Sequence, residues 1–177
     1  ASVYGLGRGG GVVVAGHSVS YNIISNNLAS QMADGYGGGA WSYNAAHCTL
    51  GNNTFYHNAN KGLSFASGNG SGMYYWYGGY NFKTKNNIFM DHNVSGSDSV
   101  AVFSGEALTN NWNNCFYNNG SNYNTNFTSH NDVLANPQLT DPANGIFALL
   151  YNSPCIDAGS DTLVYNQTTN HNMGWVV

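Results

Sequence analysis

Side chains able to move a proton, attack a bond or hold a metal are scarce in this sequence, and their spacing bounds its chemistry. There is one glutamate, Glu106, whereas a glycosidase needs two carboxylates about 5 Å or about 6.5–9.5 Å apart. A uronic-acid lyase needs a basic proton acceptor or carboxylate-held calcium, with positive charge to neutralise its substrate. The basic residues are Arg8, Lys61, Lys83 and Lys85. Lys83 and Lys85 stand two apart on an expected strand and share a face, so one could act as a base with its pKa lowered by the other. Two solvated charges on an outer surface is the plainer reading. Asp91 is followed by His92, and the repeat described below brings His57 beside Asp91 in a column with Asn26 and Asn118. That column could hold an acid/base pair or a hydrogen-bonded surface ladder. Asp132, Asp141, Asp157 and Asp161 carry the carboxylates that calcium would need, although Asp141-Pro142 and Asp157-Ala158-Gly159 have the chemistry of turns. Zinc spacings, phosphate loops and nucleophile elbows are absent from the sequence, so no cofactor is expected and calcium is the one ion left open. A last candidate is Met73-Tyr-Tyr-Trp-Tyr-Gly-Gly-Tyr80. Tyr74, Tyr75, Trp76 and Tyr77 are expected in a long loop, as a sugar-stacking platform, a contact for another subunit, or a cover for an open flank.

The elements that must position these residues follow from composition and repeats. The chain has 177 residues, of which 29 are Asn and 23 Gly, and only 7% are charged, against a usual value near 25%. Four Lys plus Arg and a net charge of −4 provide no basic surface for nucleic acid. No apolar run approaches the roughly 18 residues of a membrane span. A surface kept wet by amides and hydroxyls suits contact with carbohydrate and also lacks the charge repulsion that opposes self-association. Cys48, Cys115 and Cys155 have no metal spacing; an odd number allows at most one disulfide, and three buried thiols is the plainer expectation. Six N-x-S/T sequons, at Asn52, Asn69, Asn93, Asn119, Asn126 and Asn166, leave glycosylation open.

One short pattern occurs four times: Asn22-Ile-Ile-Ser-Asn-Asn27, Asn53-Thr-Phe-Tyr-His-Asn58, Asn87-Ile-Phe-Met-Asp-His92 and Asn114-Cys-Phe-Tyr-Asn-Asn119, with leading Asn residues 31, 34 and 27 apart. An apolar segment precedes each copy, at 11–16, 39–44, 62–66 and 100–104. A third, alternating segment lies between, at 17–21, 47–51, 80–85 and 107–112. Each segment alternates with period two, and Gly, Asn and Ser punctuate the joints. Three short strands per unit of about 30 residues predict an all-β parallel β-helix, a solenoid of about four to five coils with long loops. Stacking then puts Asn22, Asn53, Asn87 and Asn114 in an amide ladder at a bend, beside an inward column of Ile24, Phe55, Phe89 and Phe116.

The N-x-F-x-x-N unit, the Gly-Gly-Gly strand starts and the closing run resemble secreted right-handed parallel β-helix proteins of the pectate-lyase-like superfamily. The closing run is Asn136-Pro-Gln-Leu-Thr-Asp-Pro-Ala-Asn-Gly145, then Ser153-Pro-Cys-Ile-Asp-Ala-Gly159, with Cys155 where a small residue is usual. The resemblance covers roughly residues 8 to 160 and implies the right-handed fold. It does not select an activity, because the superfamily holds lyases, hydrolases, epimerases, adhesins and inert coils. The expected organisation is an N-terminal segment 1–10, a β-helix 11–159 and a tail 160–177. The two end segments are expected as assembly strands, the tail alternatively as a cap, because Trp175, Val176 and Val177 are apolar and no amphipathic cap is seen. The leading expectation is a secreted, non-catalytic structural or surface element that assembles with other copies of itself into a fibre. The alternatives are a polysaccharide-active enzyme and a glycan-binding adhesin module.

Overall fold

The computed structural model describes residues 7–31, 34–60, 70–77, 81–92 and 100–160. The strands are β1 (Gly7–Arg8), β2 (Val12–Val14), β3 (Val19–Ser20), β4 (Ile23–Ser25), β5 (Gly35–Tyr36), β6 (Ala40–Ser42), β7 (Thr49–Gly51), β8 (Thr54–Tyr56), β9 (Met73–Tyr75), β10 (Lys83–Lys85), β11 (Ile88–Met90), β12 (Val100–Ser104), β13 (Leu108–Trp112), β14 (Cys115–Tyr117), β15 (Ser121–Tyr123), β16 (Phe127–His130), β17 (Leu139–Asp141) and β18 (Ile146–Leu149). Three sheets carry the architecture, ordered β2-β6-β9-β12-β15, β3-β7-β10-β13-β16 and β4-β8-β11-β14. Within them every strand pairs in parallel with its equivalent in the neighbouring repeat unit. The fold is therefore all-β with stacked parallel sheets, as in a parallel β-solenoid.

Strands this short require a sharp corner every few residues, and the composition supplies them. Among the described residues, fourteen non-glycine residues have positive φ, and eight of these are Asn: 26, 44, 52, 81, 86, 113, 118 and 131. A left-handed backbone costs an ordinary residue roughly 1–2 kcal/mol, and Asn is among the few types that visit it routinely. The corners form columns. Tyr21, Asn52, Asn86, Asn113 and Asn131 precede the third sheet's strands or their continuation, and Asn26, His57, Asp91 and Asn118 follow them.

Directly after each corner of the first column, an amide turns inward. The Asn22 N–H and Nδ2 donate to Asn53 Oδ1 at 3.0 and 3.2 Å, and those of Asn53 donate to Asn87 Oδ1, both at 3.1 Å. Those of Asn87 donate to Asn114 Oδ1 at 3.1 and 3.0 Å. Each amide also donates to a strand carbonyl, as Asn87 Nδ2 does to Leu50 O at 2.9 Å. The column ends on a carboxylate: Asp132 Oδ1 accepts the Asn114 N–H at 3.0 Å and the Ser129 hydroxyl at 2.7 Å. Alongside it Ile24, Phe55, Phe89 and Phe116 point inward, with the Phe rings 4.8 and 5.2 Å apart and within 9° of parallel.

Three expectations meet a different arrangement. The apolar segment expected at 62–66 lies outside the described residues, and its place in the first sheet is held by Met73–Tyr75, expected as loop. The reason is local: Gly70-Ser71-Gly72 leads into Met73 as Gly37-Gly38-Gly39 leads into Ala40, and Met73 and Tyr75 fill the interior. Parallel pairing already begins at β1, which pairs with β5, inside the segment expected to stand apart at 1–10. It ends at the Cys115–Val133 bridge. Beyond this, within the region expected as β-helix to 159, β17 and β18 form an antiparallel hairpin. Pro142–Asn144 makes a 3-10 turn between them, closed by left-handed Gly145. This segment covers the outer side of the third sheet, burying Ile88, Met90 and Cys115 against Leu139, Phe147 and Cys155. Trp175, Val176 and Val177 lie outside the described residues.

The ladder makes a graded prediction. Asn87→Ala orphans buried groups on both neighbouring rungs and is expected to cost about 3 kcal/mol or more, whereas Asn22→Ala, at the exposed first rung, is expected to cost about 1 kcal/mol or less. Urea denaturation of both variants checks this, and equal losses would refute the ladder's role.

Candidate functional site

The candidate catalytic residues are separated by the same corner geometry that positions them. Lys83 and Lys85 flank Thr84, which faces inward and donates its hydroxyl to Asn111 Oδ1 at 2.8 Å. Lys83 is half-buried and Lys85 buried, so the pair is not two solvated charges. His57 and Asp91 are neighbours in the second corner column; His57 is exposed, and Asp91 Oδ1 accepts the Asn118 amide at 2.6 Å. His92, next in sequence, is wholly buried. Asp91 and His92 are thus divided between surface and interior. Of the carboxylates considered for calcium, Asp132 closes the ladder, Asp141 Oδ2 accepts the Asn144 amide at 2.8 Å, and Asp157 stands at a backbone position of positive φ. Asp161 lies outside the described residues, among which no three His, Cys, Asp or Glu side chains converge as a metal site.

His92 interrupts a second column of Asn27, Asn58, His92 and Asn119. Asn58 Oδ1 accepts from Asn27 N–H and Nδ2 at 3.0 and 3.1 Å. Asn119 Oδ1 accepts the His92 N–H at 3.1 Å and contacts Nδ1 at 3.0 Å, while Asn119 Nδ2 donates to Phe89 O at 3.1 Å. With Oδ1 acting as acceptor, the proton of the neutral imidazole is on Nδ1. Among the described residues Nε2 then has no hydrogen-bond partner. It lies against Gly72, where an added Cβ would be 2.9 Å from Nε2 and 2.8 Å from Ala101 O. Burial lowers the His92 pKa to about 4, opposed by the Asn119 hydrogen bond and helped by His57.

The outer side of the first sheet is different in kind. Its register aligns Val13, Trp41, Tyr74 and Phe103 in one outward column, while Met73 and Tyr75 alternate inward, Tyr75 stacking on Phe82 at 5.1 Å. Tyr74 stacks on Phe103 at 5.2 Å and on Trp76 at 5.8 Å, and meets the Tyr36 edge at 5.0 Å. These rings leave it 2% exposed, and its hydroxyl is pushed up to about 12 by that burial, then by Tyr36. Trp41 and Tyr43 lie parallel within 3° at 5.5 Å, and the Arg8 guanidinium is 5.3 Å from the Trp41 ring centre. Trp76, Tyr43 and Tyr77 are 49%, 44% and 57% exposed. Beside Trp76 stands Gly105, where an added Cβ would be 3.6 Å from Trp76 Cε3 and 2.9 Å from Trp76 O.

The expected platform is thereby corrected. It is a sheet face rather than a loop, Tyr75 belongs to the core, and Tyr74 supports the exposed rings. Trp41 and Tyr43 were missed. The signal was available in Gly39-Ala-Trp-Ser-Tyr-Asn44: strand alternation puts Ala40 and Ser42 inside and both aromatics outside, in line with Tyr74 and Trp76. No family model, curated protein or solved structure matches this chain.

His92 yields a pH prediction. Its folded pKa lies below the unfolded value near 6.5, so between them the unfolded chain binds more protons. The contribution of neutral His92 is therefore complete above about pH 6.5 and is lost as pH falls towards 4. The loss is expected to reach on the order of 3 kcal/mol. Urea midpoints of wild type and His92→Asn across pH 4–7.5 check it; the variant should lack this component, while the opposing influence of half-buried Asp132, whose pKa is raised, is common to both proteins.

Proposed function

We propose that the chain is a secreted right-handed parallel β-helix of about four to five coils, of the pectate-lyase-like kind, that binds a neutral glycan through its aromatic sheet face. The right hand is supported by the strong preference of parallel β crossovers for that hand. The carrying observation is the open aromatic group of half-buried Trp41, exposed Tyr43 stacked on it and exposed Trp76, the first and last flanking buried Tyr74, which stacks on Phe103. Aromatic faces offer apolar area with little conformational entropy to lose, and sugar C–H faces match them. β6, β9 and β12 are adjacent strands, so the rings repeat at about 4.8 Å along the stack, a layout suited to an extended chain. Arg8, the cation beside these rings, is engaged with Trp41, which favours an uncharged ligand over a polyuronate. Catalysis is not part of this reading, because Asp91 and His92 face different surroundings and Lys85 is buried.

A second reading, assembly of copies end to end, is favoured by β2, β3 and β4. They are the outermost strands of their sheets, and they or their corner expose Val13, Ile23 and Tyr21 at 50%, 53% and 68%. A strand of another copy fits such edges.

Affinity electrophoresis through a panel of neutral and acidic polysaccharides tests the first reading. Wild type should be retarded by at least one neutral glycan, Trp41→Ala and Trp76→Ala should each weaken binding roughly two- to tenfold, and Lys83→Ala should bind as wild type. Undiminished binding by the Trp41/Trp76 double variant would sink the proposal. Light scattering and negative-stain microscopy of the same preparation report on the second, for which short-repeat fibres are the expected result.

A further inference from the structure

Two of the three cysteines meet. Cys115 is on β14, on the outer side of the third sheet, and Cys155 lies 40 residues later in the segment that crosses it. Both are wholly buried in one apolar cluster with Ile88, Met90, Leu139 and Phe147, where each thiol is near enough to shift the other's titration. The approach is fixed by Ser153, whose hydroxyl donates to Pro137 O at 2.5 Å and accepts the Cys155 N–H at 3.1 Å. Cys115 Sγ is 3.5 Å from Ala135 O. Cys48 belongs to the separate central core, with its Sγ 3.5 Å from Ala46 O. Otherwise the segment is held by Asn86, which exchanges hydrogen bonds with Ser160 at 2.7 and 2.9 Å, and by Asn113 Nδ2, which donates to Ala158 O at 2.9 Å. A covalent bond at this point would join the two layers at the middle of their apolar contact.

We propose that Cys115 and Cys155 form a redox site whose disulfide locks the C-terminal segment onto the third sheet. The oxidant class is a small disulfide such as oxidised glutathione. One protein thiolate attacks a sulfur of that disulfide, expelling a thiolate and leaving a mixed disulfide. The second protein thiolate then attacks the protein sulfur of the mixed disulfide and expels the other thiolate. Two protein S–H bonds are lost and one S–S bond forms, while the oxidant's S–S bond is broken and its two thiols carry away the protons. Because the pair is enclosed, exchange takes place while the segment is off the sheet, during folding or local opening.

The test unfolds the full chain in urea and refolds it in an oxidised/reduced glutathione buffer. Free thiols are then trapped with iodoacetamide and the peptides mapped by mass spectrometry. The expected product links the Cys115 and Cys155 peptides, with Cys48 alkylated, and melts on the order of 10 °C above the reduced protein. Cys48→Ala should keep both the link and the shift; Cys115→Ala and Cys155→Ala should lose both. Three alkylated cysteines, or a bridge containing Cys48, would overturn the pairing. A link without a change in melting temperature would overturn the lock. Should either Ala variant fail to fold, the wild-type peptide map still decides.

Discussion

Buried backbone at a corner is the constraint on which the rest of this structure depends. Strands of two to five residues leave peptide groups inside the molecule at every bend, and such groups must find partners. Here the asparagine amide is the partner. It matches the strand repeat, accepting from one rung and donating to the next, and its own carbonyl contacts bind it to the strands. The residue before it adopts the left-handed conformation that turns the side chain inward. Asn thus supplies both the bend and the hydrogen bonds that the bend requires. That double use explains how a chain with 29 Asn folds around a packed interior.

Once the corners are settled, each sheet has an outer side that must be dealt with separately. The third sheet puts Ile88, Met90 and Cys115 outward, and the C-terminal hairpin covers them. Corner asparagines also take part: Asn86 and Asn113 sit at the edge of that sheet and bind the segment's backbone. The first sheet also puts large apolar rings outward, but there the rings cover one another and stay partly open to solvent. A covered apolar side reads as core, and an open aromatic side reads as a binding surface. The same solenoid geometry therefore yields a locking contact on one side and a candidate ligand face on another.

The repeat register, the Asn22–Asn53–Asn87–Asn114 column and the Phe stack were legible in the sequence, because period-two alternation and a recurring Asn are local signals tied directly to backbone geometry. The place of Met73–Tyr75 was not. Two apolar segments, 62–66 and 73–75, competed for one strand position, and the choice depends on which Gly-rich lead-in matches its neighbours when stacked. His92 could be counted into the second column by spacing alone, yet its environment could not: whether a ring at that rung keeps a free nitrogen depends on the approach of Gly72 from another strand.

Composition and spacing by themselves determined the class of fold, since sparse charge, dense Asn and Gly and a repeat of about 30 residues leave short stacked strands as the way to satisfy both backbone and core. The tertiary structure alone decided which side chains share a surface. Trp41, Tyr74 and Phe103 are 33 and 29 residues apart in the chain but adjacent in register, and Cys115 meets Cys155 because an antiparallel hairpin doubles back. The physical reason is that alternation tells which way a side chain faces, while adjacency depends on which strands pair and on what covers them.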